Sequence, residues 1–511
     1  MSVQNMINEL TNRRNAIEIG GRDAAISKVH ADSKMTARER IENLLDTNSF
    51  VEIGTFVKSR STNFNLSVKD TPADGVVTGY GTVEGRLVYV YSQDVTVLGG
   101  ALGEMHAKKI CNVYDMAMKT GAPIIALLDS TGLRLQESTD ALNGFGEIFL
   151  KQTLASGVVP QITAILGTCG GGATIIPSLS DFTFMTKKAT SLFVSSPNSL
   201  DSKSETLETI ASADFHSKET GIIDFVAEDE KSLLTEIRNL IEILPSNNFE
   251  EAPIYDSNDD LNRISAELNE IVPEDLSAGF DMKAIISSIA DNNLFVETKA
   301  NYGQMVVTGF IRLNGQSVGV VANQTAGNEG LLSSSACEKG TNFVKICDSF
   351  NIPVVTFTDI AGFNATVEEE KAGISKAVSK LLYAFANATV PKVNIVVGRG
   401  FGTAYIAMNS KHIGADFVYA WPNSKIAMMN SDSAVRIMYA DELNDASMSA
   451  EDMANKTAQY EELQASPYAA ASRGYVDDII EPAATRKRVI AALEMLYSKR
   501  EARPDKKHGT V

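Results

Sequence analysis

The sequence predicts an α/β protein built as two tandem domains, and three observations lead there. At 511 residues the chain is too long for one ordinary hydrophobic core. It is written twice at a nearly constant spacing, and within each copy short apolar runs alternate with longer amphipathic segments.

The spacing is the most informative of the three. Gly85-Arg86, leading into Leu87 to Tyr91, is matched by Gly315-Gln316 and Ser317 to Ala322, an offset of 230 residues. Pro123-Ile-Ile-Ala-Leu-Leu-Asp129 is matched by Pro353-Val-Val-Thr-Phe-Thr-Asp359 at the same offset. Pro160-Gln-Ile-Thr-Ala-Ile-Leu-Gly167 is matched by Pro391-Lys-Val-Asn-Ile-Val-Val-Gly398 at 231. Gly170-Gly-Gly-Ala173 then falls opposite Phe401-Gly-Thr-Ala404, and each half reaches an Asp-Phe pair, Asp181-Phe182 and Asp416-Phe417.

Taken in order, a charged helical lead-in is expected over Asn8 to Leu45. Strands buried on both faces are expected at Ile124 to Leu128, Ile162 to Leu166, Val354 to Phe357 and Val393 to Val397, because short β-branched runs bounded by Pro and Gly read that way. Helices are expected at Glu104 to Met118 and Ala336 to Ser349. The polar, acidic stretch Asn247 to Ser265 reads as a linker, which sets the domains at 1–250 and 251–511. A terminal helix is expected at Thr485 to Arg500.

Composition narrows the class. The chain is 44% hydrophobic and 22% charged, ordinary for a soluble globular protein. It has no apolar run of membrane-spanning length, and Met1 to Arg14 is polar, so a cytoplasmic location is expected. Cys111, Cys169, Cys337 and Cys347 stand far apart and read as reduced thiols. A net charge of −18 argues against nucleic-acid binding, and the basic stretch Lys499 to His508 reads as a solvated tail.

The chemistry lies in glycine-rich turns at strand ends, Gly167-Thr-Cys-Gly-Gly-Gly-Ala173 and Gly398-Arg-Gly-Phe-Gly-Thr-Ala404. Small residues there let backbone N–H groups converge at the start of a helix, as an oxyanion hole requires. A second turn in each half, Asp129-Ser-Thr-Gly132 and Asp359-Ile-Ala-Gly362, is read as the source of the opposing N–H. No GxSxG, HExxH or Walker A sequence occurs, and His30, His106, His216, His412 and His508 show no metal-ligand spacing. Oxyanion stabilisation without a side-chain base implies that the base arrives with a substrate or cofactor. Ala117-Met-Lys119 mimics a biotinylation site, but Lys119 is expected to end a helix. Cys169, His216 and His412 are expected to be structural.

With these residues in view, the sequence resembles the biotin-dependent acyl-CoA carboxyltransferase family, which includes propionyl-CoA carboxylase β subunits, the transcarboxylase core and methylmalonyl-CoA decarboxylase α subunits. The resemblance rests on Thr36-Ala-Arg-Glu-Arg-Ile41, Asp74-Gly-Val-Val-Thr-Gly79, Tyr91-Ser-Gln-Asp94, His106-Ala-Lys-Lys-Ile110, Ala155-Ser-Gly-Val-Val-Pro160, Phe350-Asn-Ile-Pro353, Ala420-Trp-Pro422 and Arg473-Gly-Tyr-Val-Asp-Asp478. It implies two crotonase-like (ClpP/crotonase) domains of ββα units, the first holding acyl-CoA and the second biotin, in a homo-hexamer whose active sites lie between protomers. Carried over by position, it makes Gly171, Gly172, Thr403 and Ala404 the oxyanion donors. It places Gly132, Arg134, Gly170 and Ala173 against acyl-CoA and Ala361, Gly362, Phe363, Gly402 and Ile406 against biotin.

The cofactor implied is carboxybiotin on a separate biotin carboxyl carrier protein, acting on a coenzyme A thioester, with no metal in this chain. The other partners implied are a biotin carboxylase subunit or a membrane decarboxylase (sodium pump) subunit, the latter placing the chain at the inner face of the membrane. Ile406, where many propionyl-CoA carboxylases carry Asp, and the altered loop Asn364 to Lys371 mark a divergent branch. Two alternatives stay open at the level of sequence: a biotin-independent crotonase-type acyl-CoA enzyme, which needs a carboxylate base, and a non-catalytic assembly core.

Overall fold

The computed structural model describes residues 2–201, 204–444, 448–504 and 508–509. The chain divides into two units, Met1–Glu251 and Ala252–Val511, and the division falls inside the polar, acidic stretch.

Each unit is a mixed sheet with the same strand order. The first holds β1 (Val51–Glu52), β2 (Val76–Val83), β3 (Arg86–Gln93), β4 (Ile124–Ser130), β5 (Gln161–Gly170), β6 (Phe182–Thr186), β7 (Ser191–Phe193) and β8 (Phe225–Ala227). Its order is β1-β2-β3-β4-β5-β6-β8, with β7 pairing to the far end of β5. The second holds β9 (Phe295–Thr298), β10 (Val306–Leu313), β11 (Gln316–Asn323), β12 (Leu331–Leu332), β13 (Val354–Ile360), β14 (Gly362–Phe363), β15 (Lys392–Phe401), β16 (Phe417–Ala420), β17 (Lys425–Ala427) and β18 (Asp478–Ile479). Its main sheet runs β9-β10-β11-β13-β15-β16-β18, β17 pairs with β15, and β12 with β14 forms a separate ribbon.

The local sequence explains the repetition. Both hairpins close through two residues at positive φ, Glu84-Gly85 (49° and 74°) and Asn314-Gly315 (52° and 78°), the pattern of a type I′ turn between twisted strands. The strands that follow pair in parallel, and β4 and β13 are buried at every residue, as strands covered on both faces must be. Core residues such as Val76, Leu128 and Phe145 fill the first unit. Val320, Phe357 and Val397 fill the second, where the single tryptophan, Trp421, also donates its indole N–H to Thr485 at 3.0 Å and ties down the terminal helix.

Several boundaries differ from expectation. The lead-in is three helices, Val3–Glu18, Asp23–Ala31 and Ala37–Leu44, broken at Gly20, which sits at φ 75°. The third begins in a capping box, in which Thr36 Oγ1 accepts from Glu39 N–H and the Glu39 carboxylate accepts from Thr36 N–H. The terminal helix stops at Leu496. The central strands run well past their apolar cores, β5 to Gly170 and β15 to Phe401.

Candidate active site

That extension changes the reading of the glycine loops. Gly167 to Gly170 belongs to β5, and the turn itself is Gly171 at φ 62°; Arg399 to Phe401 belongs to β15, and the turn is Gly402 at φ 63°. Such a φ is costly for a residue with a Cβ, and both positions are glycine. Helical residues follow at once, Gly171–Thr174 with Ile175–Ser178 in one unit and Gly402–Ala407 in the other. Gly171, Gly172 and Ala173 are half-buried, exposed and buried, and Gly402, Thr403 and Ala404 repeat that sequence. Position for position, therefore, Gly172 matches Thr403 and Ala173 matches Ala404. The pairs Gly171/Gly172 and Thr403/Ala404 stand one residue out of step, because glycine runs in the first half hide the register. The first N–H groups of a helix have no intrahelical acceptor and lie at its positive end, so each turn offers donors to an anionic oxygen. Gly170 is buried at the end of β5, and Ile406 is half-buried in the helix after β15, at the sequence position equivalent to Ile175 in the first unit.

Both strands are fixed at the same point. A buried aspartate at the end of the neighbouring strand lies against a glycine, Asp129 against Gly167 and Asp359 against Gly398; a Cβ on these glycines would stand 1.8 and 2.6 Å from the carboxylate oxygens. The counter-cation differs between units. Asp129 receives Lys34 Nζ at 2.5 Å and Arg40 Nη2 at 3.1 Å, and Arg40, itself 1% exposed, is held by Glu230 at 2.7 Å. Asp359 instead receives the backbone N–H and guanidinium of Arg399 at 2.7, 2.9 and 3.0 Å.

In these second turns the amides of Thr131, Gly132 and Ala361 do not face a ligand as opposing donors. Thr131 N–H donates to Gly99 O at 3.1 Å and Gly132 N–H to Ser130 Oγ at 3.1 Å. Ala361 N–H donates to Gly330 O at 2.7 Å. These amides are engaged within the fold, a pairing that sequence alone does not reveal. Gly362 and Phe363 form β14 and are half-buried, with open space in front of Gly362.

Arg134 also requires correction. It is 2% exposed, and its guanidinium donates to Asp74 Oδ1 at 2.7 Å, Glu137 Oε1 at 2.8 Å and Ala101 O at 2.8 Å. Glu137 further accepts from Ser59 Oγ at 2.9 Å and Glu104 N–H at 2.6 Å. The cluster braces the loop before helix Glu104–Thr120, and Arg134 is not presented to a ligand.

Other side chains are also retired as bases. Burial, reinforced by Arg134, pushes His106 well below its ordinary value, and its ring contacts Asp74 O at 3.0 Å. Desolvation lowers His216, whose nitrogens meet Leu192 O at 2.6 Å and Thr220 Oγ1 at 3.0 Å. His412 is exposed, its ring against those of Tyr405 and Tyr475. Desolvation pushes the Cys169 thiol up to about 12, leaving it an inert core residue. Lys119 is exposed one residue before the end of its helix.

Two matched turns, each offering backbone amides beside an anchored strand, have the geometry to receive anionic oxygens at two related places. The chain belongs to the carboxyl transferase domain family, which it matches over residues 28–511. It is 45% identical over 513 residues to the methylmalonyl-CoA decarboxylase subunit alpha of Veillonella parvula, covering 100% of this chain and 99% of the relative. It is 44% identical over 514 residues to the propionyl-CoA carboxylase carboxyltransferase subunit of Haloferax mediterranei, covering all of both chains. The crystal structure of transcarboxylase 12S, described as a hexamer assembly with methylmalonyl-coenzyme A bound, superposes with a TM-score of 0.96 at 42% identity, over 100% of this chain and 99% of that one. The fold is the tandem crotonase-like carboxyltransferase fold, and the chain is a carboxyltransferase.

Proposed function

We propose that this chain transfers a carboxyl group between carboxybiotin on a separate carrier protein and a short-chain acyl-CoA, with propionyl-CoA and methylmalonyl-CoA as the favoured pair and the acetyl/malonyl and glutaconyl thioesters as further candidates. The observation that carries it is the repeated turn: one positive-φ glycine, one exposed residue and one buried small residue, in the same order in both units. Transfer needs negative charge to be stabilised on two carbonyl oxygens, that of the thioester and that of biotin's ureido group, and preorganised amides do this without reorganising.

On this reading the Gly172 and Ala173 amides receive the thioester oxygen as the enolate forms, and the Thr403 and Ala404 amides receive the ureido oxygen. The chemistry of the donors fits a neutral ring that acquires negative charge: N–H groups at a helix start, small residues around them and open space at Gly362. Biotin supplies the transferable carboxyl group and the nitrogen that exchanges it for the α-proton. This chain's residues bind, orient and stabilise oxygen charge; Asp129 with Arg40 and Asp359 with Arg399 keep the turns in place.

The same relationships support a homo-hexamer completed by a biotin carboxyl carrier protein and either a biotin carboxylase or a membrane decarboxylase subunit. The test is transfer from malonyl-CoA, methylmalonyl-CoA and glutaconyl-CoA to free biotin, followed by release of the decarboxylated acyl-CoA. Turnover with methylmalonyl-CoA above the other two is expected. Turnover with none, by folded protein, contradicts the proposal.

A further inference from the structure

Behind the second turn the sheet carries buried polarity that the proposed reaction does not use. Partnered residues of parallel strands project to one face, and Val321 pairs with Thr356, which pairs with Asn394. Asn323, Thr356, Thr358 and Asn394 therefore share a face, the one on which Val321 packs beneath helices Ser334–Ser349 and Ile374–Asn387. Asn409 reaches the same place from just beyond helix Gly402–Ala407, donating from Nδ2 to Thr356 Oγ1 at 3.2 Å. Thr358 Oγ1 donates to Asn394 Oδ1 at 2.8 Å. Each of these residues is at most 1% exposed.

These bonds leave both amide atoms of Asn323, Nδ2 of Asn394 and Oδ1 of Asn409 without a protein partner among the described residues. The hydroxyl of Tyr405, a residue of the same short helix whose ring lies against Gly400, is also unpartnered. A buried polar group left unsatisfied forfeits the hydrogen bonds it made to water when unfolded, so several together would consume much of a domain's net stability. The surplus contains donors and acceptors and no charge, which is the complement of water.

We propose that this is a built internal water site, and that Asn394 and Asn409 are positioning residues for carboxyl transfer, a role that rests on the function proposed above. Ordered water bridges Asn323, Asn394 and Asn409 and fixes the far end of the helix whose near end presents the Thr403 and Ala404 amides. The duplication separates this from a requirement of the fold. At the matching positions the first unit has Ala126 and Leu128, Thr163 satisfied by Ser180 Oγ at 2.6 Å, and Gln93, whose Oε1 accepts from Asp129 N–H at 3.1 Å. That unit holds its own helix by a direct bond, Gln152 Nε2 donating to Ile176 O at 3.1 Å, although Gln152 Oε1 is itself unpartnered among the described residues.

Two measurements test this. A crystal structure of the full chain, at a resolution that shows ordered solvent, is expected to place at least one water within hydrogen-bond distance of Asn323 and of Asn394 or Asn409. A dry chamber in which the amides bond one another directly overturns the water site. In the transfer assay, Asn394→Leu and Asn409→Gly, the latter tolerating the φ of 51° at that position, are expected to lower kcat/KM for free biotin on the order of tenfold. The KM for biotin rises and the KM for the acyl-CoA donor is unchanged; a merely structural lesion lowers kcat alone. Folded variants with wild-type constants for biotin overturn the positioning role. If wild-type protein transfers no carboxyl group, the function proposed above fails along with that role, and the water site stands or falls on the electron density.

Discussion

Gly167 and Gly171 lie four residues apart and are glycine for different reasons, which substitution separates. At Gly171 a Cβ has no atom within 4 Å, so Gly171→Ala meets only the left-handed φ, a cost of about 1–2 kcal/mol. At Gly167 a Cβ would displace the Asp129 carboxylate from Lys34 and Arg40, and uncoupling a buried ion pair costs about 3–5 kcal/mol. Urea unfolding should therefore rank Gly167→Ala as the more damaging by a clear margin; equal loss would mean that Asp129 is not an anchor. The sequence made both glycines visible and concealed the distinction, since neither the φ nor the carboxylate facing Gly167 leaves a trace in a run of glycines. Arg134 and Glu137 show the same limit: an Arg and a Glu three residues apart beside a glycine turn read equally well as ligand contacts or as the ion cluster that they form.

Among the elements, the strut between central strand and covering helix is repeated with different chemistry. Gln161 Nε2 donates to Gln152 O at 3.0 Å in the first unit, and at the matching place Lys392 Nζ donates to Phe385 O at 2.7 Å. Burial, with Lys499 nearby, lowers Lys392 to about 8. Its folded value lies below its unfolded one, so the folded state binds fewer protons between about pH 8 and 10.5, and stability rises with pH across that window. Lys392→Gln keeps the strut and removes the titration. Its thermal midpoint relative to wild type should be higher at pH 7 than at pH 10, and a difference independent of pH would refute the assignment. The central strands were legible here because β-branched runs are a local signal and the 230-residue repeat marks them twice. Strand ends were not, because β5 and β15 continue through glycines that local reading assigns to a turn. Asn394, a polar residue inside the apolar run Val393 to Val397, was the available sign of the buried polar face.

For the whole molecule, one surface bears on assembly. Leu142, Leu150 and Leu154 are 60%, 57% and 58% exposed on helix Ser138–Ala155, along an uncharged stripe with Gly146 and Thr153. An exposed apolar stripe is the kind of surface that oligomers bury. Leu150→Lys is expected to shift the mass measured by light scattering from that of the proposed hexamer toward smaller species, while unchanged mass would remove this stripe from the interface. Duplication also makes a demand on function, since two equivalent turns imply two equivalent tasks. Proline is tolerated in the first turn of a helix yet lacks the N–H, so Gly172→Pro and Thr403→Pro each delete one donor with little effect on the fold. The most direct measurement is carboxyl transfer from methylmalonyl-CoA to free biotin by these two variants beside Thr403→Ser. Each proline variant is expected to lose roughly 100-fold or more in kcat, with near-wild-type turnover for Thr403→Ser. Full turnover by either proline variant in folded protein would contradict it.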